Sequence, residues 1–326
     1  MTIITTTNDA VSAGHDAQSE NAIITNGLTR TFGTVRAVND LSITVPAGKI
    51  FGFLGTNGAG KTTTIYLLLG LLEPTTGQAS VLGYDIRTQG DKIREQSGSL
   101  LEYNGLYEQL TAFDNLDFYG RIWGMSTAER QARIDELLDM FGLKDRMRDR
   151  VGTWSRGMKQ KLAIARAMFH HPRLVFLDEP TDGLDPAAAA SLRQDLAGLV
   201  EREGMTIFLT THNLAEAEQL CANVAILRKG VLLAAGSPKT LREGASQPRM
   251  EIRGQGFSAA ILAGLRANPD ITLLQEAPDQ IVFAPHEGVD VSQIVNMLVR
   301  NGVQVGEVQR IVPSFEEAFL HIVESE

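Results

Sequence analysis

Two short stretches carry residue types suited to handling phosphate. "GTNGAGKTT", Gly55 to Thr63, contains Gly55-Thr56-Asn57-Gly58-Ala59-Gly60-Lys61-Thr62, a full match to G-x-x-x-x-G-K-[ST]. Glycines let backbone amides turn inward around a phosphate with no Cβ in the way. Lys61 offers a point charge to β- and γ-phosphate oxygens, and the Thr62 hydroxyl can ligate Mg²⁺. The other stretch, "TWSRGMKQKLAIARAM", sets Ser155-Arg156-Gly157-Met158 at the start of a basic amphipathic helix. A hydroxyl, free amides and the positive end of a helix dipole make that turn a second anion site. The two sites lie about ninety residues apart, within the length of one domain.

Hydrolysis also needs carboxylates. "RLVFLDEP" is an apolar strand ending in Asp178 and Glu179. Neighbouring side chains at a strand end point in different directions, so Asp178 suits Mg²⁺ and Glu179 the attacking water. "TDGLDP" follows, with Asp185 as an N-cap and Pro186 at the first helical position. "TIFLTTH" then brings His212 to the end of another apolar strand.

The elements that must position these residues alternate along the chain. "AIITNGLTRTF", "LSITVP" and "KIFGFLG" read as strands, the last running into the Gly-rich loop and a helix near Lys61. Leu110 to Leu143 reads as helical and carries a capping box, Ser126 with Glu129. Continuous apolar strands separated by helices then predict a parallel sheet covered on both faces. His170 and His171 close the helix that Ser155 opens, where cations suit the dipole, and Pro172 stops it. After "REGASQPR" the order strand, helix, strand, strand, helix, strand predicts a split βαβ unit of ferredoxin-like type, with a last helix in "SFEEAFLHIVES". The expected divisions are a disordered tail (1–21), an α/β P-loop domain (22–241), a linker (242–248) and a small α+β accessory domain (249–326).

The 326 residues are 43% hydrophobic and 21% charged, with net charge −9, so no nucleic acid is expected as partner. A single cysteine, Cys221, excludes an intramolecular disulfide. The first 22 residues hold no Lys or Arg and no apolar core of a secretory signal. "IYLLLGLL" is too short to span a bilayer, so a membrane role is expected to need a partner chain.

In order and spacing, Gly55 to Thr63, Ser155-Arg156-Gly157, "LVFLDEP", "GLDP" and "TTH" resemble the ATPase subunit of an ABC transporter, over Ala22 to Pro238. The resemblance implies a mixed sheet with helices plus a helical signature subdomain near 103–170, and ATP with Mg²⁺ as cofactors. It implies a head-to-tail homodimer in which Ser155, Arg156, Gly157 and Met158 act on ATP held by the partner. It makes His212 a switch residue at the γ-phosphate, Phe32 an adenine-stacking ring and Asp185 part of the D-loop. It further implies a separate integral membrane permease, met at the cytoplasmic face by the Tyr and Phe residues of "LTAFDNLDFYGRIWGM".

Two positions depart from the family pattern. Trp154-Ser155-Arg156-Gly157-Met158 stands where L-S-G-G-Q is usual, and Glu102 occupies the Gln-loop position. Glutamate can still ligate Mg²⁺ but adds negative charge near the nucleotide. "SRGM" and "PSFEEAFL" are similar to an exporter branch that includes daunorubicin-type drug-resistance ATPases, which implies export of a drug or other hydrophobic compound. A soluble ABC-type ATPase acting on nucleic acid or ribosomes is the competing reading. It fits poorly with one cassette, a short helical insert and an acidic balance.

Overall fold

A computed structural model describes residues 20–244, 249–286 and 288–324. The chain opens with β1 (Asn21–Phe32), β2 (Val35–Leu41) and β3 (Thr44–Pro46), then passes through β4 (Ile50–Gly55) into α1 (Lys61–Leu68). β5 (Thr76–Val81) and β6 (Tyr84–Asp85) return to the first strands, giving an antiparallel sheet of order β2-β1-β5-β6 with β3 on β1. α2 (Gly90–Glu95) leads to β7 (Ser97–Leu100), after which α3 (Ala112–Ile122), α4 (Thr127–Met140) and α5 (Arg156–Ala167) pack together. The chain then runs through β8 (Leu174–Asp178), α6 (Pro186–Glu203), β9 (Thr206–Thr211), α7 (Leu214–Leu220), β10 (Asn223–Arg228) and β11 (Val231–Gly236).

The central six-stranded sheet has the order β11-β10-β4-β9-β8-β7. All its pairings are parallel except that of β11, which closes one edge antiparallel. Its apolar strands divide their side chains between two cores. Phe51, Phe53, Phe176 and Phe208 enter one; Ile50, Leu54, Val175, Leu177, Ile207 and Leu209 enter the other. Around Phe208 the rings of Phe51, Phe53 and Phe176 lie at 5.8, 5.2 and 5.6 Å. Burying each ring contributes roughly 1.5–3 kcal/mol. That cluster pins β4, β9 and β8 side by side, so their carboxyl ends form one rigid rim.

α8 (Pro238–Gly244) precedes the remaining elements: β12 (Arg249–Gln255), α9 (Ala259–Arg266), β13 (Ile271–Glu276), β14 (Gln280–Pro285), α10 (Val291–Arg300), β15 (Gln304–Ile311) and α11 (Phe315–Glu324). The four strands are antiparallel in the order β13-β14-β12-β15, the arrangement of a split βαβ unit. Ile252, Phe283, Leu265 and Leu298 form their own core. α11 leaves that unit. Phe315 joins the core that holds Leu209 and Val224, the helix contacts α7, α8 and β11, and Arg228 donates to the Val323 carbonyl.

Of the expected tail, residues 1–19 lie outside the described residues, and Asn21 already pairs with Pro46 in the first sheet. Of the expected linker, 245–248 lie outside them, while Arg242 sits in α8 and pairs with Glu218 at 2.8 Å. Among the described residues no helix is long and apolar enough to cross a membrane.

His170 is not the cation expected at the end of α5. Burial, reinforced by Arg133 and His171, drives it down to about 4, so the ring is neutral at pH 7. The ring stacks on Trp123 at 4.0 Å, with Nε2 3.2 Å from the Ser97 carbonyl. A histidine depressed from 6.5 contributes stability above that value, lost as pH falls toward 4. Wild type should therefore lose more melting temperature between pH 7 and 5 than His170→Phe, which keeps a ring on Trp123 and cannot charge. Equal losses would remove this role for His170.

Candidate functional site

The loop Gly55–Gly60 connects β4 to α1 and is built around two left-handed glycines. Gly58 has φ +79 with open space around it; Gly60 has φ +100, and a Cβ there would sit 2.2 Å from the Ala37 carbonyl oxygen. Only glycine satisfies both conditions at Gly60. Thr56, Asn57 and Gly58 are exposed at the loop's crest, while Ala59 and Gly60 anchor it from below. Thr63 follows on the first turn of α1, half-buried. Lys61 is 6% exposed, its Nζ donating to the carbonyls of Gly55 (2.7 Å) and Thr56 (3.3 Å) and lying 3.0 Å from Glu179 Oε1.

Asp178 ends β8 opposite Thr210 of β9. It accepts from Thr62 Oγ1 at 2.7 Å and from Thr210 Oγ1. A hydroxyl and a carboxylate in contact on adjacent elements are the hard oxygen donors that Mg²⁺ takes. These residues therefore fit the ion, and Thr62 and Asp178 can hold it. Glu179 follows with φ 50, an uncommon left-handed backbone for a non-glycine residue. Its amide is held by the Thr210 carbonyl and hydroxyl, both at 3.1 Å. That turn sends the carboxylate sideways, where Lys61 takes Oε1 and His212 Nδ1 meets Oε2. The glycine-rich loop, Asp178, Glu179 and His212 thus gather at the carboxyl ends of β4, β8 and β9, three neighbouring parallel strands.

A cleft of about 510 Å³ opens over this rim, lined among others by Asn57, Thr62, Glu102, Asp178 and Glu179. Glu102 reaches it from the segment after β7. The opposite wall is α5, through Arg156, Lys159 and Gln160. Gln160 donates to the Pro180 carbonyl at 2.7 Å, tying α5 to the turn after Glu179. Arg156 leans over its own chain's turn, 3.7 Å from Asp182. Ser155 caps α5, accepting from the Met158 amide at 3.3 Å, and is exposed; neither it nor Gly157 belongs to the cleft lining.

Two residues stand apart from the cleft. Phe32 ends β1, 46% exposed, with the Arg30 guanidinium 4.5 Å from its ring centre. Asp185 caps α6, accepting from Ala187 and Ala188 at 3.0 and 2.9 Å. Sequence reasoning passed over Thr210, Gln160 and Asp182. Thr210 had a signal, a hydroxyl inside an apolar strand, since a buried hydroxyl needs a partner. The other two have none, because their partners come from distant segments.

A family model described as ABC transporter matches residues 38–182, spanning the cradle, the signature turn and both carboxylates. A second, described as an AAA domain, matches 149–218. The bacitracin transport ATP-binding protein BcrA of Bacillus licheniformis is 35% identical over 92% of this chain and 97% of its own. The chain belongs to the ABC transporter ATP-binding family. The daunorubicin/doxorubicin resistance ATP-binding protein DrrA of Streptomyces peucetius is also 35% identical, over 94% of this chain and 93% of its own. A solved structure of an ATP binding subunit of an ABC transporter superposes with a TM-score of 0.61 at 34% identity, covering 68% of this chain and 92% of that one. This ABC subunit is accordingly an ATPase that takes ATP with Mg²⁺, and its relatives include exporter-type proteins.

Proposed function

We propose that the chain powers a two-component exporter, pairing head to tail with a second copy and working from the cytoplasmic face through a separate permease. The observation carrying this reading is the convergence of Lys61, Thr62, Asp178, Glu179 and His212 on one strand rim, with Ser155 and Arg156 of the signature turn exposed and Gly157 buried behind them. Loop amides, Lys61 and Thr63 would hold the phosphates, and Thr62, Asp178 and Glu102 the metal. Phe32 would stack on the adenine. When bound, Mg²⁺ would neutralise the charge that develops on the leaving phosphate of ATP. Glu179 accepts a proton from the attacking water, and His212 holds the Glu179 carboxylate in place.

Ser155 and Gly157 of each chain would complete the partner's site, with Asp185 near the two-fold axis. Closure is then favoured only by contacts ATP makes in the closed pair and not in the open one. Hydrolysis removes them and the pair reopens. Residues 21–244 together with α11 would form the ATPase domain, and 249–311 the accessory domain.

The permease would meet the helices α3 to α5. Tyr103 is 80% exposed and Ile122 63%, and Tyr107 and Tyr119 each meet Phe118 edge-on, at 5.3 and 5.4 Å. An exposed aromatic cluster of this kind suits docking of a protein partner. Glu102, at the cleft, immediately precedes Tyr103, so nucleotide state and dock share one segment. The drug-named relatives BcrA and DrrA support a hydrophobic cargo. The test is purification from detergent-solubilised native membranes. A polytopic membrane protein should accompany the chain, and Phe118→Asp should lose it while retaining ATPase activity. Recovery of wild type with no membrane protein overturns the reading.

A further inference from the structure

Beneath Glu179 and His212 lies a carboxyl that the phosphate machinery does not use. Glu216, four residues after His212 on α7, is 1% exposed, and neither carboxyl oxygen has a hydrogen-bond partner in this conformation. Its amide donates to Asn213 Oδ1 at 3.1 Å. In "NLAE" a capping box would turn the Glu216 side chain back to Asn213; instead the side chain is buried.

The groups facing it come from every neighbouring element: the hydroxyls of Thr181 and Thr211, Arg193 of α6, Glu179, and Cys221 at the end of α7. Burial raises its pKa, Glu179 pushes the same way, and the two hydroxyls and Arg193 oppose. A carboxyl in such a place is stable only when neutral or hydrogen-bonded. A neutral carboxyl both donates and accepts, so it can bridge two hydroxyls. Thr211 Oγ1 already accepts from the Asn213 amide at 3.0 Å, leaving its proton for Glu216. Thr181 lies two residues beyond Glu179, in a turn closed by Leu184 N donating to its carbonyl at 3.2 Å.

We infer that Glu216 is a positioning residue whose carboxyl, unpartnered in this conformation, closes on the hydroxyls of Thr181, in the turn after Glu179, and Thr211, beside His212, when the site is loaded, and so holds that pair in register. The inference rests on the roles proposed for Glu179 and His212. A purely space-filling acid would behave differently, because an apolar residue of similar volume replaces a buried charge without loss.

The experiment uses the full chain with ATP and Mg²⁺. Glu216→Leu should lower kcat roughly tenfold with KM changed less than about twofold, as misplacement of reacting groups does. Glu216→Gln, which keeps donor and acceptor, should retain most of kcat. Wild-type kcat in Glu216→Leu overturns the inference, as does an equal fall in the folded leucine and glutamine variants. Should the leucine variant not fold, Thr181→Val decides, since it removes one of the two hydroxyls that face Glu216: wild-type kcat there overturns the inference. Glu179→Gln serves as reference; normal turnover there faults the assignment of Glu179 and is read separately from the Glu216 comparison.

Discussion

Glu179→Gln should slow turnover by roughly two to four orders of magnitude, the range associated with losing a general base. ATP binding should be preserved. Glutamine has the same reach, keeps an oxygen for the Lys61 ammonium now 3.0 Å away, and tolerates the φ of 50 no worse than glutamate. What it loses is basicity. It also removes one negative charge from a site that must receive a polyanion, so affinity should hold or rise. A nucleotide that binds but is not consumed should trap the closed pair. Equilibrium binding of a fluorescent ATP analogue, turnover under excess enzyme, and size-exclusion chromatography with ATP measure the three quantities. Turnover at the wild-type rate would take Glu179 out of the chemistry.

The phosphate cradle was legible because its conformation is written in its residue types. Gly60 must be glycine for steric reasons that no neighbour can relieve. The strands "KIFGFLG", "LVFLDE" and "TIFLTTH" were legible because burial on both faces leaves uninterrupted apolar runs. Other strands were not. β2, "VRAVNDL", mixes polar and apolar residues because one face meets solvent, and β5, "TGQASV", opens on Thr76 and Gly77. Both owe their form to pairing with β1, a relation between distant segments. α8 and the return of α11 to the larger body escaped for the same reason. An amphipathic helix shows that it has an apolar face, not which core receives it.

His170 shows a different limit. Helix position favours a charged ring there, worth about 0.3–1 kcal/mol at an exposed end. Burial against Trp123 and the nearby Arg133 guanidinium outweigh that, and the ring stays neutral. Sequence shows the local term; the packing that overrides it comes from α3 and α4. Glu216 belongs to the same class. "NLAEAEQLC" reads as a solvated helix start, yet the acid lies under the β9 rim because α7 packs its first turn there.

Ser155→Arg should abolish ATP-dependent pairing while leaving nucleotide affinity within about twofold, and specific activity should fall by roughly two orders of magnitude, the scale of lost site assembly. The fold should survive. Ser155 caps α5 through one long bond of 3.3 Å, and losing such a cap costs about 1 kcal/mol of stability. Domains of this kind hold roughly 5–15 kcal/mol in reserve. The chain's own cleft is walled by Arg156, Lys159 and Gln160, not by Ser155, so a guanidinium at 155 does not enter it. Its effect must be exerted outward, where the small, exposed Ser155 hydroxyl allows a phosphate held by another chain to come close and an arginine does not. Wild-type specific activity should rise with protein concentration, as a site assembled from two chains requires, and the variant's should be low and flat. An ATP-bound pair forming at wild-type yield in Ser155→Arg would refute the contribution in trans. Full-speed hydrolysis by dilute, strictly monomeric wild type would refute the shared site altogether, leaving Lys61, Asp178 and Glu179 as a complete active site within one chain.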